Sequence, residues 1–190
     1  MPLIGLKGER VRLVPPDRTL HLENALCWMN DPDVIATIEM NFGVARGQEE
    51  EFFRRVETER ETQLVWAILD EEERHIGFTD LRGIAWRHRS ATGGILIGER
   101  TAWGKGYATD AVRVRTRFAF ETLGLHRIEG HTMNPAMERV YEKAGYRREG
   151  TAREKVWREG RWLDVGLFAI LESDYGTRSD LSVGDAPQMS

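Results

Sequence analysis

In the stretch "GGILIGERTAWGKGYATDAVRVRTRFAFETLG" an apolar run gives way to two glycines, a lysine and a threonine, and then to helical spacing. This junction restricts the fold more than any other part of the chain. A strand that turns through Trp103, Gly104, Lys105 and Gly106 into a helix gathers unpaired N–H groups at the helix start, where the helix dipole favours negative charge. Glycine lets a ligand approach the backbone closely. An ordinary strand-to-helix turn has the same shape, and shape alone does not choose between the two. Two familiar phosphate motifs fail residue by residue. A P-loop needs four residues between its first two glycines, but five separate Gly98 from Gly104, and Gly106 stands where a magnesium-binding hydroxyl belongs. A dinucleotide fingerprint needs a third glycine where Thr109 stands, after strands that here read as antiparallel.

The rest of the chain frames that junction. "ERVRLV" reads as a strand broken by Pro15-Pro16-Asp17. Thr19 can cap a helix whose Leu22, Ala25, Leu26 and Met29 share a face, and Asp31-Pro32 ends it. "DPDVIATIEMNFG" reads as a short helix running into a loop, and "GQEEEFFRRVETER" as a third helix, acidic first and basic later. From Leu64 the period falls to two. "LVWAILD" and "HIGFTDLRGIAW" form a hairpin across "EEER", with "GGILIG" as a further strand. Helical spacing returns from Gly106 to Leu123, with Tyr107, Ala111, Val114 and Phe118 on one side and Gly124 as the stop. Then come a strand in "HRIEGHTM", a helix opened by Pro135, and two long strands joined around Glu159-Gly160. The order predicts one mixed α/β domain over 1–175, with a mobile tail over 176–190.

Charge narrows the partners. Across 190 residues the formal net charge is −4, so no global basic field draws in nucleic acid. No apolar run approaches the roughly 20 residues of a membrane span, and "MPLIGLKGER" lacks the pattern of a secretion signal. Cys27 is the single cysteine, which gives neither a disulfide framework nor a cysteine metal cluster. A cytoplasmic protein is expected, with no nucleic-acid or membrane partner and no metal. The six tryptophans leave room for an aromatic patch between two copies of the chain.

Trp103-Gly-Lys-Gly106-Tyr-Ala108 resembles the Gln/Arg-x-x-Gly-x-Gly/Ala pyrophosphate loop of the GNAT family of N-acetyltransferases, with Trp103 in the Gln/Arg position. Trp-Gly-Lys-Gly-Tyr is similar to the form found among relatives that acetylate ribosomal-protein amino termini and in small-amine acetyltransferases. "GGILIGE", "NPAMERVYEKAGYRREG" and "REKVWREGRWLDVGLFAILESDY" resemble the family's central strand, its Asn-to-Tyr-Glu-Lys helix and its closing hairpin. The resemblance spans most of Leu6 to Tyr175. It implies a mostly antiparallel, twisted sheet with helices on both faces, and a splayed strand pair that binds coenzyme A.

The resemblance also implies direct acetyl transfer from acetyl-CoA to a primary amine: a protein amino terminus, or a small amine such as a polyamine, aminoglycoside or amino sugar. Such a transfer needs the thioester held near a neutral amine, and a stabilised tetrahedral intermediate and departing thiolate. No protein nucleophile is required, which agrees with the absence of a convincing Cys–His or Ser–His pair. The amides of Gly104, Lys105, Gly106, Tyr107, Ala108 and Thr109 would cradle the pyrophosphate, and main chain at Ile97 and Gly98 would bond the pantetheine arm. Asn134 matches the asparagine that contacts that arm, although a residue before Pro135 also suits a helix cap. Tyr141 is the expected general acid, with Met137 where a serine takes that role in the ribosomal-protein branch. Glu39 and Glu99 are candidate bases. His75 and His131 are read as structural, Cys27 as core, and Arg113, Arg115 and Arg117 as a solvated helix face. A CoA-sensing module with the same fold and no turnover is the alternative.

Overall fold

In the computed structural model, which describes residues 5–176, the amino-terminal hairpin is β1 (Leu6–Lys7) and β2 (Arg12–Val14). Three helices follow: α1 (Arg18–Met29), α2 (Pro32–Ile35) and α3 (Arg46–Thr58). A meander of β3 (Gln63–Leu69), β4 (His75–Ala85) and β5 (Ser90–Ile97) leads through a 3-10 turn (Arg100–Ala102) into α4 (Tyr107–Glu121). The chain continues as β6 (Arg127–Thr132), α5 (Pro135–Ala144), β7 (Arg147–Arg158), β8 (Arg161–Leu171) and α6 (Glu172–Gly176). From residue 177 on, the expected mobile tail lies outside the described residues.

The eight strands form one sheet in the order β1-β2-β3-β4-β5-β6-β8-β7. The pairs are antiparallel except β5 with β6, which run parallel because α4 carries the chain back across the sheet. Strand alternation explains why both faces are covered. In β4, Phe78 points to Trp28 of α1 and Phe53 of α3, whereas Thr79 meets Arg115 of α4 on the other face. Residue 6 pairs with residue 13, so a short β1 stands outside "ERVRLV", where periodicity had no room to show it.

Local chemistry accounts for the ends of the elements. Asp17, not Thr19, caps α1: its carboxylate accepts the N–H of Thr19 at 2.7 Å and of Leu20 at 3.2 Å, so the helix begins two residues earlier than expected. Gln48 reaches back to the Ala45 N–H, 2.9 Å, to open α3. Positive φ at Glu159 and Gly160 makes the tight turn between β7 and β8.

Two expectations about helix faces are corrected. Cys27 is exposed, because α1 buries His21, Leu22, Ala25 and Trp28, and Cys27 lies off that stripe. Arg115 is fully buried rather than solvated. Helix α4 is covered almost all round by the sheet and α5, so a three-residue charge pattern did not mark its outer side. Arg117 does lie exposed, on the Lys7 carbonyl at 2.7 Å, and Arg113 reaches the Lys143 carbonyl at 2.8 Å.

His21 and His75 pack ring to ring, 4.5 Å between centroids, among Trp28 and Phe78. Burial holds both below the usual imidazole range, and His75 is pushed down to about 3. The unfolded chain, with histidine near 6.5, therefore binds more protons than the native protein between about pH 6.5 and 3, and stability falls as pH drops through that window. At pH 4 the His75 contribution to that loss is on the order of 3 kcal/mol relative to pH 7. Urea unfolding of His75→Gln should show a shallower fall between pH 7 and pH 4 than wild type, and parallel curves would contradict the assignment.

Candidate active site

The site forms where the sheet divides. β5 and β6 pair only from Ser90 with Arg127 to Thr92 with Glu129, after which β6 continues against β8 alone. Opposite the opening lies a cavity of about 610 Å³. Its walls come from α1, the α2–α3 connection, α3, β4, β5, β6 and α5, so residues separated widely in sequence meet there. Met29, Met40, Phe52, Phe78, Met133 and Met137 supply apolar wall, and Glu39, Glu49 and Asp80 supply carboxylates.

Tyr141 reaches the opening from α5. It is 2% exposed, with its ring stacked on Phe168 at 5.3 Å and its hydroxyl donating to the Gly93 carbonyl at 3.3 Å. A Cβ on Gly130 would lie 2.4 Å from the phenol ring, so β6 has glycine where the tyrosine passes. Burial pushes the hydroxyl up to about 12, partly offset by the Arg115 charge. The group therefore holds its proton at neutral pH and can act as a donor.

Behind Tyr141, the Arg115 guanidinium donates to the Gly94 carbonyl at 2.6 Å, to Thr79 Oγ1 at 3.0 Å and to the Tyr146 hydroxyl at 3.3 Å. The Gly94 N–H goes to the Asp80 carboxylate at 2.7 Å. Side chains thus take over the backbone groups of β5 where the sheet opens.

Glu39 and His131 meet across the cavity, 3.6 Å apart. His131 lies below the usual imidazole range because burial outweighs the neighbouring Glu39 charge, which keeps the ring neutral at neutral pH. Read from sequence as structural, it stands instead on the cavity wall. Its strand position was legible, but the pairing with a residue 92 positions earlier was not. Glu49, buried on α3 and held above the usual carboxylate range by that burial, was also missed. Its place in an acidic first turn resembled ordinary helix charge.

Glu99 is not brought to the cavity. Its carboxylate caps the 3-10 turn, accepting from the Thr101 N–H at 3.0 Å and hydroxyl at 2.7 Å. Hydrogen bonds from Thr101 hold it below the usual carboxylate range.

The glycine loop enters α4 as the sequence suggests. Gly104 and Gly106 have φ of +74° and +90°, and a Cβ at either would meet no close protein atom. Backbone conformation, rather than crowding within the protein, is what demands glycine here. Gly106 is the N-cap of the 15-residue α4 and supplies no side-chain cap, so the amides of Tyr107, Ala108 and Thr109 open the helix without one. Arg10 underpins the loop: its guanidinium holds the Lys105 carbonyl and lies 4.6 Å from the Tyr107 ring centroid. Tyr107 donates to Glu71 at 2.7 Å, and Lys105 is exposed.

Two expected main-chain contacts are already engaged. The Gly98 N–H donates to the Ile76 carbonyl at 3.0 Å, and the Ile97 carbonyl accepts from the Trp103 indole at 2.8 Å. A Cβ on Gly98 would strike the Trp28 ring, which explains the glycine without a ligand. Asn134 caps α5, its side chain accepting the Ala136 N–H at 2.9 Å, next to the cavity residues Thr132 and Met133.

The sequence profile of the acetyltransferase (GNAT) domain matches residues 10–147. A probable N-acetyltransferase of Bacillus subtilis, YjcK, is 48% identical over 73 residues, 37% of this chain and 40% of that protein. The chain thus matches about two fifths of that relative's length. A spermidine N(1)-acetyltransferase of Vibrio cholerae is 33% identical over 117 residues, 60% of this chain and 67% of that protein. The crystal structure of a Vibrio cholerae spermidine N-acetyltransferase with CoA and spermine superposes with a TM-score of 0.80 at 26% identity, covering 87% of this chain and 97% of that one. The ribosomal-protein branch suggested by the loop is not shown by these matches, in which the named substrate is spermidine. With the split sheet, the uncapped glycine loop and a family match over 10–147 in agreement, the chain belongs to the GNAT acetyltransferase family.

Proposed function

We propose that the protein transfers an acetyl group from acetyl-CoA to a primary amine held in the cavity beside Tyr141, and that the amine is a small polycation of the polyamine class. The observation that carries this reading is the composition of the cavity, where Glu39, Glu49 and Asp80 stand among methionine and phenylalanine walls against one guanidinium, that of Arg82, which lies 3.5 Å from Asp80 and leaves Glu39 and Glu49 for an amine. Carboxylates attract ammonium groups, and thioether and aromatic surfaces accept the methylene stretches between them. Spermidine as the named substrate of relatives supports the same choice.

The residues present fit the co-substrate. Its pyrophosphate would lie on the amides from Gly104 to Thr109, a loop whose glycines satisfy no packing need within the protein. Bound there, acetyl-CoA supplies an activated acyl group and a thiolate leaving group. The Ile97 carbonyl would have to release the Trp103 indole before pairing with an arm laid along β5, because that acceptor is in use. Tyr141 stabilises charge on the departing sulfur by donating its hydroxyl, now turned to Gly93. The Glu39–His131 pair takes up the proton of the incoming ammonium, with the imidazole neutral at working pH and the carboxylate orienting it.

Four variants test these roles. Gly106→Val forces a β-branched residue into φ +90°, so calorimetry should show CoA affinity reduced by about tenfold or more in a folded protein. Unchanged affinity would remove the loop from the account. Tyr141→Phe keeps the stacked ring and loses the donor, so kcat should fall roughly 10²- to 10⁴-fold with little change in CoA binding. Near-normal turnover would leave Tyr141 as core filling. His131→Gln and Glu39→Gln should lose rate most at lower pH, where more of the amine is protonated, and pH profiles that parallel wild type would place the base elsewhere.

A further inference from the structure

Arg158, near the tip of the β7–β8 hairpin, donates to carbonyls of a segment more than a hundred residues earlier. Its Nη1 bonds the Ala36 carbonyl at 2.6 Å, and its Nη2 bonds those of Ile38 at 2.8 Å, Ile35 at 3.3 Å and also Met40. One guanidinium thus collects four carbonyls from residues 35–40, the end of the one-turn α2 and the bend after it. The Ile35 carbonyl also accepts the Ile38 N–H at 3.2 Å, whereas those of Ala36, Ile38 and Met40 take Arg158. A helix end leaves its last carbonyls without intrahelical donors, and the segment contributes no strand to the sheet that would supply others.

The same six residues carry part of the cavity wall. Ile38, Glu39 and Met40 line the cavity, and Glu39 faces His131 from between two of the carbonyls that Arg158 holds. It meets β6 through the His131 imidazole at 3.6 Å. A stronger hold on the segment comes from Arg158, through charge-assisted bonds of a planar donor. Arg158 bonds residues 35–40 and not the glycine loop; the link from α2 toward that loop is a separate one, from Asp33 to Arg100 of the 3-10 turn at 2.5 Å.

We infer that Arg158 is a positioning residue for the acceptor side of the site: it clips residues 35–40 to the closing hairpin and so fixes Glu39 and Met40 on the cavity wall. The inference rests on the reading of that cavity as the amine site. It predicts a division of effects, in which loss of the clip weakens the amine and spares coenzyme A. Lysine keeps the charge but offers three donors from one nitrogen, which cannot span four carbonyls as the guanidinium does, so Arg158→Lys should lie between wild type and Arg158→Met.

The test measures steady-state acetylation of spermidine, CoA binding by calorimetry and backbone hydrogen exchange, for wild type, Arg158→Lys and Arg158→Met. In Arg158→Met the kcat/KM for spermidine should fall about tenfold or more, through a raised KM and, because Glu39 belongs to the proton-accepting pair, through kcat as well, with CoA affinity at the wild-type level. Amides of residues 36–42 should exchange faster, with β3, β4 and β5 unchanged. An unaltered kcat/KM in Arg158→Met, or an equal loss of CoA affinity, overturns the positioning role. A wild type inert toward spermidine overturns the polyamine reading and the affinity claim with it. Unchanged exchange over 36–42 overturns the clip itself, whatever the substrate.

Discussion

The 2.6 Å hydrogen bond from the buried Arg115 guanidinium to the Gly94 carbonyl stands where the sheet loses its regular pairing. Beyond Thr92, β5 no longer has β6 as a ladder partner, and a buried carbonyl left unpaired costs about 1–3 kcal/mol. Side chains from three elements remove that cost: Arg115 and Thr79 at the Gly94 oxygen, Asp80 at its N–H, Tyr141 at the Gly93 oxygen. The opening is therefore built. The glycines follow from the same constraint, since a Cβ on Gly93 would lie 2.5 Å from the guanidinium and one on Gly94 2.6 Å from the Asp80 carboxylate.

A charge buried this completely is costly unless its donors are used, and Arg115 uses its Nη groups on neutral acceptors rather than on a carboxylate in direct contact, while its buried Nε has no acceptor among the described residues. The consequence reaches the chemistry. Thr116 meets the same Tyr146 hydroxyl at 2.9 Å, and the Tyr146 ring lies 5.0 Å from Tyr141, so the arginine, two tyrosines and the β5 backbone form one connected support. A donor at Tyr141 is only as well placed as that support allows.

What could be read from sequence was local. The period change near Leu64, the strand-turn-helix around Gly106, Pro135 at the start of α5 and the Glu159-Gly160 turn each depend on a few neighbouring residues, and each is found. The glycine loop at the start of α4 and the place of Tyr141 on α5 were legible for the same reason, as short motifs in order. What was missed depends on contacts across the chain. The Arg115 charge repeats two residues away on either side, and only the packing of α4 separates a buried arginine from its exposed neighbour Arg117. His131 meets Glu39 across the cavity, and Arg158 meets carbonyls that no pattern in "REKVWREGRW" could announce. Glu99 misled in the opposite direction, since a carboxylate next to the central strand turned out to cap a turn.

The proposed site has two halves, a loop for the phosphates of the co-substrate and a cavity for the amine, meeting at the divided strands. A crystal structure of the protein with CoA and spermidine tests that join most directly. The account predicts the pyrophosphate on the amides of residues 104–109, the thiol within hydrogen-bond distance of the Tyr141 hydroxyl, and an amine nitrogen between that sulfur and Glu39. A thiol remote from Tyr141, or spermidine bound outside the cavity lined by Glu39, Glu49 and Asp80, would contradict it.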